Sequence, residues 1–151
     1  MRRSVVSFCI VLGVLGLMAA GADSDRKYIV MKRAAASNAP FSEAVLKGDT
    51  LYVGGHIGLD PQTGKPGATP EEEARLVMES LKRTVEAGGM TMDDLVTVTV
   101  YCSDVSHYDA FNNVYRTYFH GNFPARAFIG SGKLLFGARF EVQGTAVKKS
   151  L

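Results

Sequence analysis

Cysteine, histidine and excess charge are all scarce in this chain, and each scarcity closes off a class of function. There are two cysteines, and Cys9 lies in an N-terminal apolar stretch that reads as removable. Cys102 then stands alone, so no internal disulfide can form. Without a nearby His-Asp pattern it reads as a strand residue. The three histidines, His56, His107 and His120, have none of the spacings that gather ligands around zinc. No period of 20–50 residues repeats and no low-complexity tract appears, which excludes repeat arrays. The longest apolar run, residues 5–18, falls short of the ~20 residues that span a bilayer.

That run is bounded in an informative way. Arg2 and Arg3 precede it, Ala20-Gly21-Ala22 closes it, and Asp23-Ser24-Asp25 follows at once. A charged start, a short apolar middle and a small-residue exit predict a secretory signal peptide over 1–22. An uncleaved N-terminal anchor is the alternative. The mature chain, 23–151, is long enough for one core and one domain. Of 17 basic residues two are lost with the leader, leaving 15 against 15 acidic ones. The pI of 8.6 for the whole chain therefore implies neither a nucleic-acid partner nor an anionic membrane. The expected destination is periplasmic or secreted, with no membrane association after cleavage.

Within the mature chain, short β-prone runs alternate with helical patterns. Residues 27–31 form one such run, and 41–47 and 50–55 flank Gly48-Asp49, a pair suited to a tight hairpin. Gly54-Gly55 ends the second arm, where missing side chains allow close approach. Thr69-Pro70-Glu71-Glu72 starts a helix by capping box and Pro at the first position, and Gly88-Gly89 stops it. Ala74, Val77, Met78, Leu81 and Val85 give it one apolar stripe. Residues 95–101 read as the clearest strand. A second helix begins near Ser106 and Asp109, with Tyr108, Phe111, Tyr115, Tyr118 and Phe119 as its inward stripe. Asn112 falls on that stripe, so its amide ties down a loop or faces a polar pocket. This order predicts a two-layer α+β or α/β sandwich with both helices on one face.

The last two strands carry the chemistry. Residues 125–129 are a short apolar run behind Phe123-Pro124, and the alternation in 139–147 puts Phe140, Val142, Gly144 and Ala146 on one face. Glu141, Gln143 and Thr145 then share the other. If the two strands lie side by side, Arg126 and Glu141 can meet. A guanidinium is a planar fork for a carboxylate, and a carboxylate can hold or activate a water. A structural ion pair across strands is the competing reading.

These residues resemble the RidA (YjgF) family of reactive-intermediate enamine/imine deaminases over about 39–148. The likeness rests on Pro40-Phe41-Ser42-Glu43-Ala44-Val45 and on the stretch from Leu51-Tyr52-Val53-Gly54-Gly55-His56 to Asp60-Pro61. It extends through Gly64, Asp93-Asp94-Leu95-Val96, Asn112 with Tyr115, Phe123-Pro124-Ala125-Arg126 and Glu141. The resemblance implies a chorismate-mutase-like α+β fold with a mixed sheet, assembled as a homotrimer with sites at subunit interfaces. It implies hydrolysis of enamine/imine compounds such as 2-aminoacrylate to 2-keto acids and ammonia, with no metal or organic cofactor. In that picture Arg126 and Glu141 are catalytic, Arg126 holding the substrate carboxylate. Glu141 positions water with a backbone carbonyl near Phe128, Gly55 offers backbone contacts, and Asn112, Phe128 and Phe41 line the cleft.

Four positions depart from the family's usual residues. Phe41 stands where Tyr is common, Gly54 for Ser, Phe128 for Cys, and Leu134-Leu135 for a Leu-Pro pair. Gly130-Ser131-Gly132-Lys133 is not a phosphate loop, because Leu134 replaces the Ser/Thr and Ala127 stands where the first Gly belongs. Retention of both Arg126 and Glu141 favours the enzyme over a non-catalytic small-carboxylate-binding or chaperone-like trimer.

Overall fold

The computed structural model describes residues 25–31 and 38–149. The leader expected over 1–22 lies outside the described residues. The elements are β1 (Arg26–Ile29), β2 (Ala44–Lys47), β3 (Thr50–Ile57), α1 (Pro70–Ala87), β4 (Leu95–Cys102), α2 (Tyr108–Tyr115), β5 (Ala125–Gly130) and β6 (Phe140–Val147). The strands form one mixed sheet in the order β1-β2-β3-β6-β4-β5, antiparallel except for the β4–β5 pair. The helix α2 lies in the crossover between those two parallel strands, as parallel neighbours require.

Local chemistry accounts for the elements. Gly48 takes φ +55° at the β2–β3 turn, a region that costs glycine little. Thr69 accepts from the Glu72 amide at 3.1 Å while the Glu72 carboxylate accepts from the Thr69 amide at 3.2 Å, so α1 opens with the expected capping box. The stripe Ala74, Val77, Met78, Leu81 and Val85 is fully buried against the sheet. In α2, Phe111 packs on Phe140 at 4.9 Å and on Phe128 at 5.7 Å between ring centroids, which lays this helix on β6 and β5. Both helices therefore cover one face of the sheet, the two-layer α+β arrangement. One residue of the expected inward stripe departs: Tyr108 is exposed, because it stands at the first turn of α2 beyond the sheet edge strand it touches through Phe128.

An ion pair between buried Glu73 and part-exposed Arg139 fixes the start of β6. The Glu73 side chain, fully buried in α1, accepts from the Arg139 and Phe140 amides and from Arg139 Nη1 at 2.7 Å. Arg139 also donates to the Gly67 and Ala68 carbonyls at 2.9 and 3.3 Å. Removing Arg139 would strand the fully buried Glu73 carboxylate, the costly direction for such a pair. The residue after this clamp along β6 is Glu141.

Candidate active site

Arg126 and Glu141 do not meet within one chain. The strand β4 lies between theirs: Arg126 is level with Val98, and Val98 with Gly144, three residues beyond Glu141. They also face opposite ways. Val98 is buried beneath the helices, and Arg126 shares its side of the sheet. Phe140 and Val142 are buried on that side too, so the pleat sends Glu141 to the side without helices. The ion pair across neighbouring strands, considered from the sequence, is therefore absent. In its place are two separate constellations.

The first surrounds Arg126. Its Nη2 donates to Asn112 Oδ1 at 2.7 Å, so the Asn112 carbonyl oxygen finds its partner in the guanidinium. The Tyr115 ring lies 4.5 Å from Arg126 Cζ, with Phe128 and Tyr108 at 5.8 and 5.9 Å. A cation held over aromatic faces keeps its charge at a low desolvation cost. Burial pushes the Tyr115 hydroxyl up to about 12 against the opposing pull of Arg126, so this phenol is neutral at physiological pH. Its oxygen is buried without a hydrogen-bond partner among the described residues. Asn112, Tyr115, Phe123 and Arg126 line a cavity of about 170 Å³. The α2 helix positions Asn112 and Tyr115 one turn apart, and β5 delivers Arg126 and Phe128 on the same face.

The second surrounds Glu141. Gly55 sits at an irregularity in the β3–β6 ladder, between Val53 and His56. A Cβ at 55 would overlap the Glu141 carboxylate, so the carboxyl group rests against bare backbone. Phe41, Gly54, Gly55 and Glu141 border a cavity of about 500 Å³, together with His56, Ser80, Leu135 and Phe136. His56 is buried, with Nδ1 3.1 Å from Ser80 Oγ. Its burial, and then the charge of Arg83, lower it to about 4, which keeps the imidazole neutral at physiological pH.

The residues singled out from the sequence thus divide in two. Arg126, Asn112 and Phe128 belong to the first constellation; Glu141, Gly55 and Phe41 belong to the second. Sequence reasoning missed Tyr108 and Tyr115 as neighbours of the guanidinium, and Leu135 and Phe136 beside the carboxylate. The signal for the latter pair was an apolar Leu134-Leu135-Phe136 run outside any strand. Cys102 is buried, donates to the Asp104 carbonyl, and has a thiol raised by burial, consistent with a strand residue. Among the described residues no three of His, Cys, Asp and Glu converge as metal ligands would.

Known proteins resemble this chain over most of its length. The family described as endoribonuclease L-PSP matches residues 31–148. The 2-iminobutanoate/2-iminopropanoate deaminase of Rattus norvegicus is 38% identical over 125 residues, 82% of this chain and 90% of that one. The Homo sapiens protein of the same name is 32% identical over 127 residues, covering 83% and 93%. Among solved structures, the YjgF gene product of E. coli matches with a TM-score of 0.75 at 28% identity, over 82% of this chain and 99% of that one. E. coli TdcF with bound serine matches with a TM-score of 0.70 at 28% identity, over 73% and 89%.

Proposed function

The chain belongs to the endoribonuclease L-PSP family, which includes the RidA and YjgF proteins, and from that premise we propose that it hydrolyses 2-imino acids to 2-keto acids and ammonia. The observation that carries this reading is the division of the site. Arg126 is oriented by Asn112 on the helix-covered side, and Glu141 is seated against Gly55 on the other. Among the described residues of one chain, neither group has the other within reach. A head-to-tail ring of identical subunits brings opposite faces together, and the cyclic trimer is the ring this reading adopts. The face carrying Glu141 supports it: Tyr28, Tyr52 and Ile129 are exposed there, with Thr97, Thr99, Gln143 and Thr145 on the central strands between them.

The chemistry follows from the two groups. The Arg126 fork, one nitrogen on Asn112, pairs with the substrate carboxylate and fixes the imine carbon. The partner subunit's counterpart of Glu141 takes a proton from water as the oxygen attacks that carbon, giving a tetrahedral carbinolamine. Starting from the protonated imine, the carboxyl group returns that proton to nitrogen; as the carbon–nitrogen bond breaks and ammonia leaves, the carboxylate takes the hydroxyl proton and the carbonyl forms, and that proton then passes to ammonia or solvent. An enamine enters after protonation at its β-carbon. Serine bound in one relative's structure carries the same carboxylate and two-carbon-substituted centre.

We further propose export, on the pattern of Arg2-Arg3, the apolar run 5–18 and Ala20-Gly21-Ala22. The catalytic reading is tested by turnover of imines generated in situ. Arg126→Ala is expected to lower kcat/KM by about two decades or more, the loss of roughly 3 kcal/mol from one desolvated bidentate pair. Glu141→Gln is expected to slow turnover while leaving 2-keto acid binding nearly intact. Undiminished turnover in folded Arg126→Ala protein would end the assignment.

A further inference from the structure

We propose that the substrate carries a bulky apolar side chain, of leucine or phenylalanine size, which occupies the cavity beside Glu141; the inference rests on the imine-hydrolase reading above. Three observations carry it. The first is size: the cavity holds about 500 Å³, within the ~300–1,000 Å³ of small-molecule sites, and a three-carbon imine fills little of that. The second is its lining. Phe41, Ile57, Leu59, Leu135 and Phe136 supply the walls, and Glu141 is the charged group among the residues that border it. His56, also at the border, is neutral by virtue of its burial. A carboxylate at one end of an apolar chamber fits a ligand that reacts at one end and is greasy at the other.

The third observation is how Phe136 is held. Its φ of +59° puts a bulky residue in the left-handed region, at a cost of about 1 kcal/mol or more. The benefit of this conformation is not burial, because Phe136 and Leu135 are each 69% exposed and Phe41 is 61% exposed. Three large apolar side chains are thus presented around one opening, and one of them is held there against its backbone preference. Apolar surface of this kind gains when a ligand covers it. In the assembly proposed above both the partner subunit's Arg126 and the substrate come to Glu141, and the substrate's side chain is the occupant assigned to this chamber.

The test compares imines made from leucine and from alanine by an amino-acid oxidase, with semicarbazide trapping of unhydrolysed imine. Calorimetric binding of 4-methyl-2-oxopentanoate and pyruvate runs alongside. The leucine-derived imine is expected to have a kcat/KM about tenfold or more above the alanine-derived one, as pocket discrimination by added methylenes allows. The larger keto acid is expected to bind correspondingly tighter. Phe136→Asn, whose side chain tolerates the left-handed region, is expected to collapse both ratios. Equal or reversed preference in turnover and binding overturns the inference while the hydrolase reading stands. Tighter binding of the larger keto acid with no turnover of any imine supports the chamber and sinks the hydrolase reading; neither binding nor turnover sinks both. If Phe136→Asn instead dissociates the assembly by light scattering and leaves the ratios unchanged, the apolar rim belongs to a neighbouring subunit and the inference is wrong.

Discussion

Replacing Asn112 by Asp is the most discriminating single change at the Arg126 end of the site. Asn112 Oδ1 accepts from Arg126 Nη2 at 2.7 Å, and Asn112→Asp keeps that acceptor in a side chain of the same shape. The bond becomes an ion pair, so folding stability is expected to hold or rise. The pair then presents no net charge to an incoming carboxylate, in place of the parent's single positive charge. A substrate carboxylate on the other edge of the guanidinium lies about 6 Å from the new charge. At an effective dielectric of about 20, two like charges at that separation repel by about 3 kcal/mol. That corresponds to about two decades in kcat/KM. The assay pairs imine turnover with a thermal melt. The expected result is a melting temperature equal to or above the parent's together with roughly hundredfold weaker turnover. A variant within threefold of the parent's kcat/KM would refute the idea that Arg126 receives the substrate carboxylate. A variant that loses stability and activity together would refute the reading of Asn112 as an acceptor for the guanidinium.

Two further outcomes follow from the structure. Burial lowers His56 from 6.5 to about 4 in the fold, so the unfolded chain takes up this proton first as pH falls. The stability it contributes is complete above about pH 6.5 and is lost between there and pH 4, a total of about 3 kcal/mol. Chemical denaturation across that range should show a shallower decline in His56→Gln than in the parent; the same decline in both would contradict it. The proposed leader is checked by mass spectrometry of native protein, expected to begin at Asp23 outside the cytoplasm; soluble cytoplasmic protein retaining Met1 would reject it.

What the sequence disclosed was whatever depends on near neighbours along the chain. Thr69 and Glu72 cap a helix by contacts three residues apart, so their pattern is visible without a fold. The alternation from Phe140 to Ala146 likewise reports which side chains go inward, and the burial follows it. The sheet order was hidden, because pairing of β6 with β4 and β3 is settled by contacts across the whole chain. Arg126 and Glu141 were expected to meet if their strands were neighbours, and the intervening β4 removes that condition. Phe136 was hidden for another reason: a left-handed backbone is signalled by Gly or Asn, and Phe gives no such sign. The polar partner of Asn112 was half legible, since its place on an apolar stripe demanded a partner without naming Arg126.

The central claim is that each site takes Arg126 from one subunit and Glu141 from the next. Subunit mixing tests it most directly. Arg126→Ala and Glu141→Gln proteins, each strongly impaired alone, are unfolded together in equal amounts and allowed to reassemble. In a cyclic ring every interface has one arginine donor and one glutamate donor, so random mixing leaves about a quarter of the interfaces with both groups intact. The account expects turnover to return to about a quarter of the value for parent protein put through the same cycle. Mixed assemblies that form but recover no activity would place both groups in the same chain's site and contradict it.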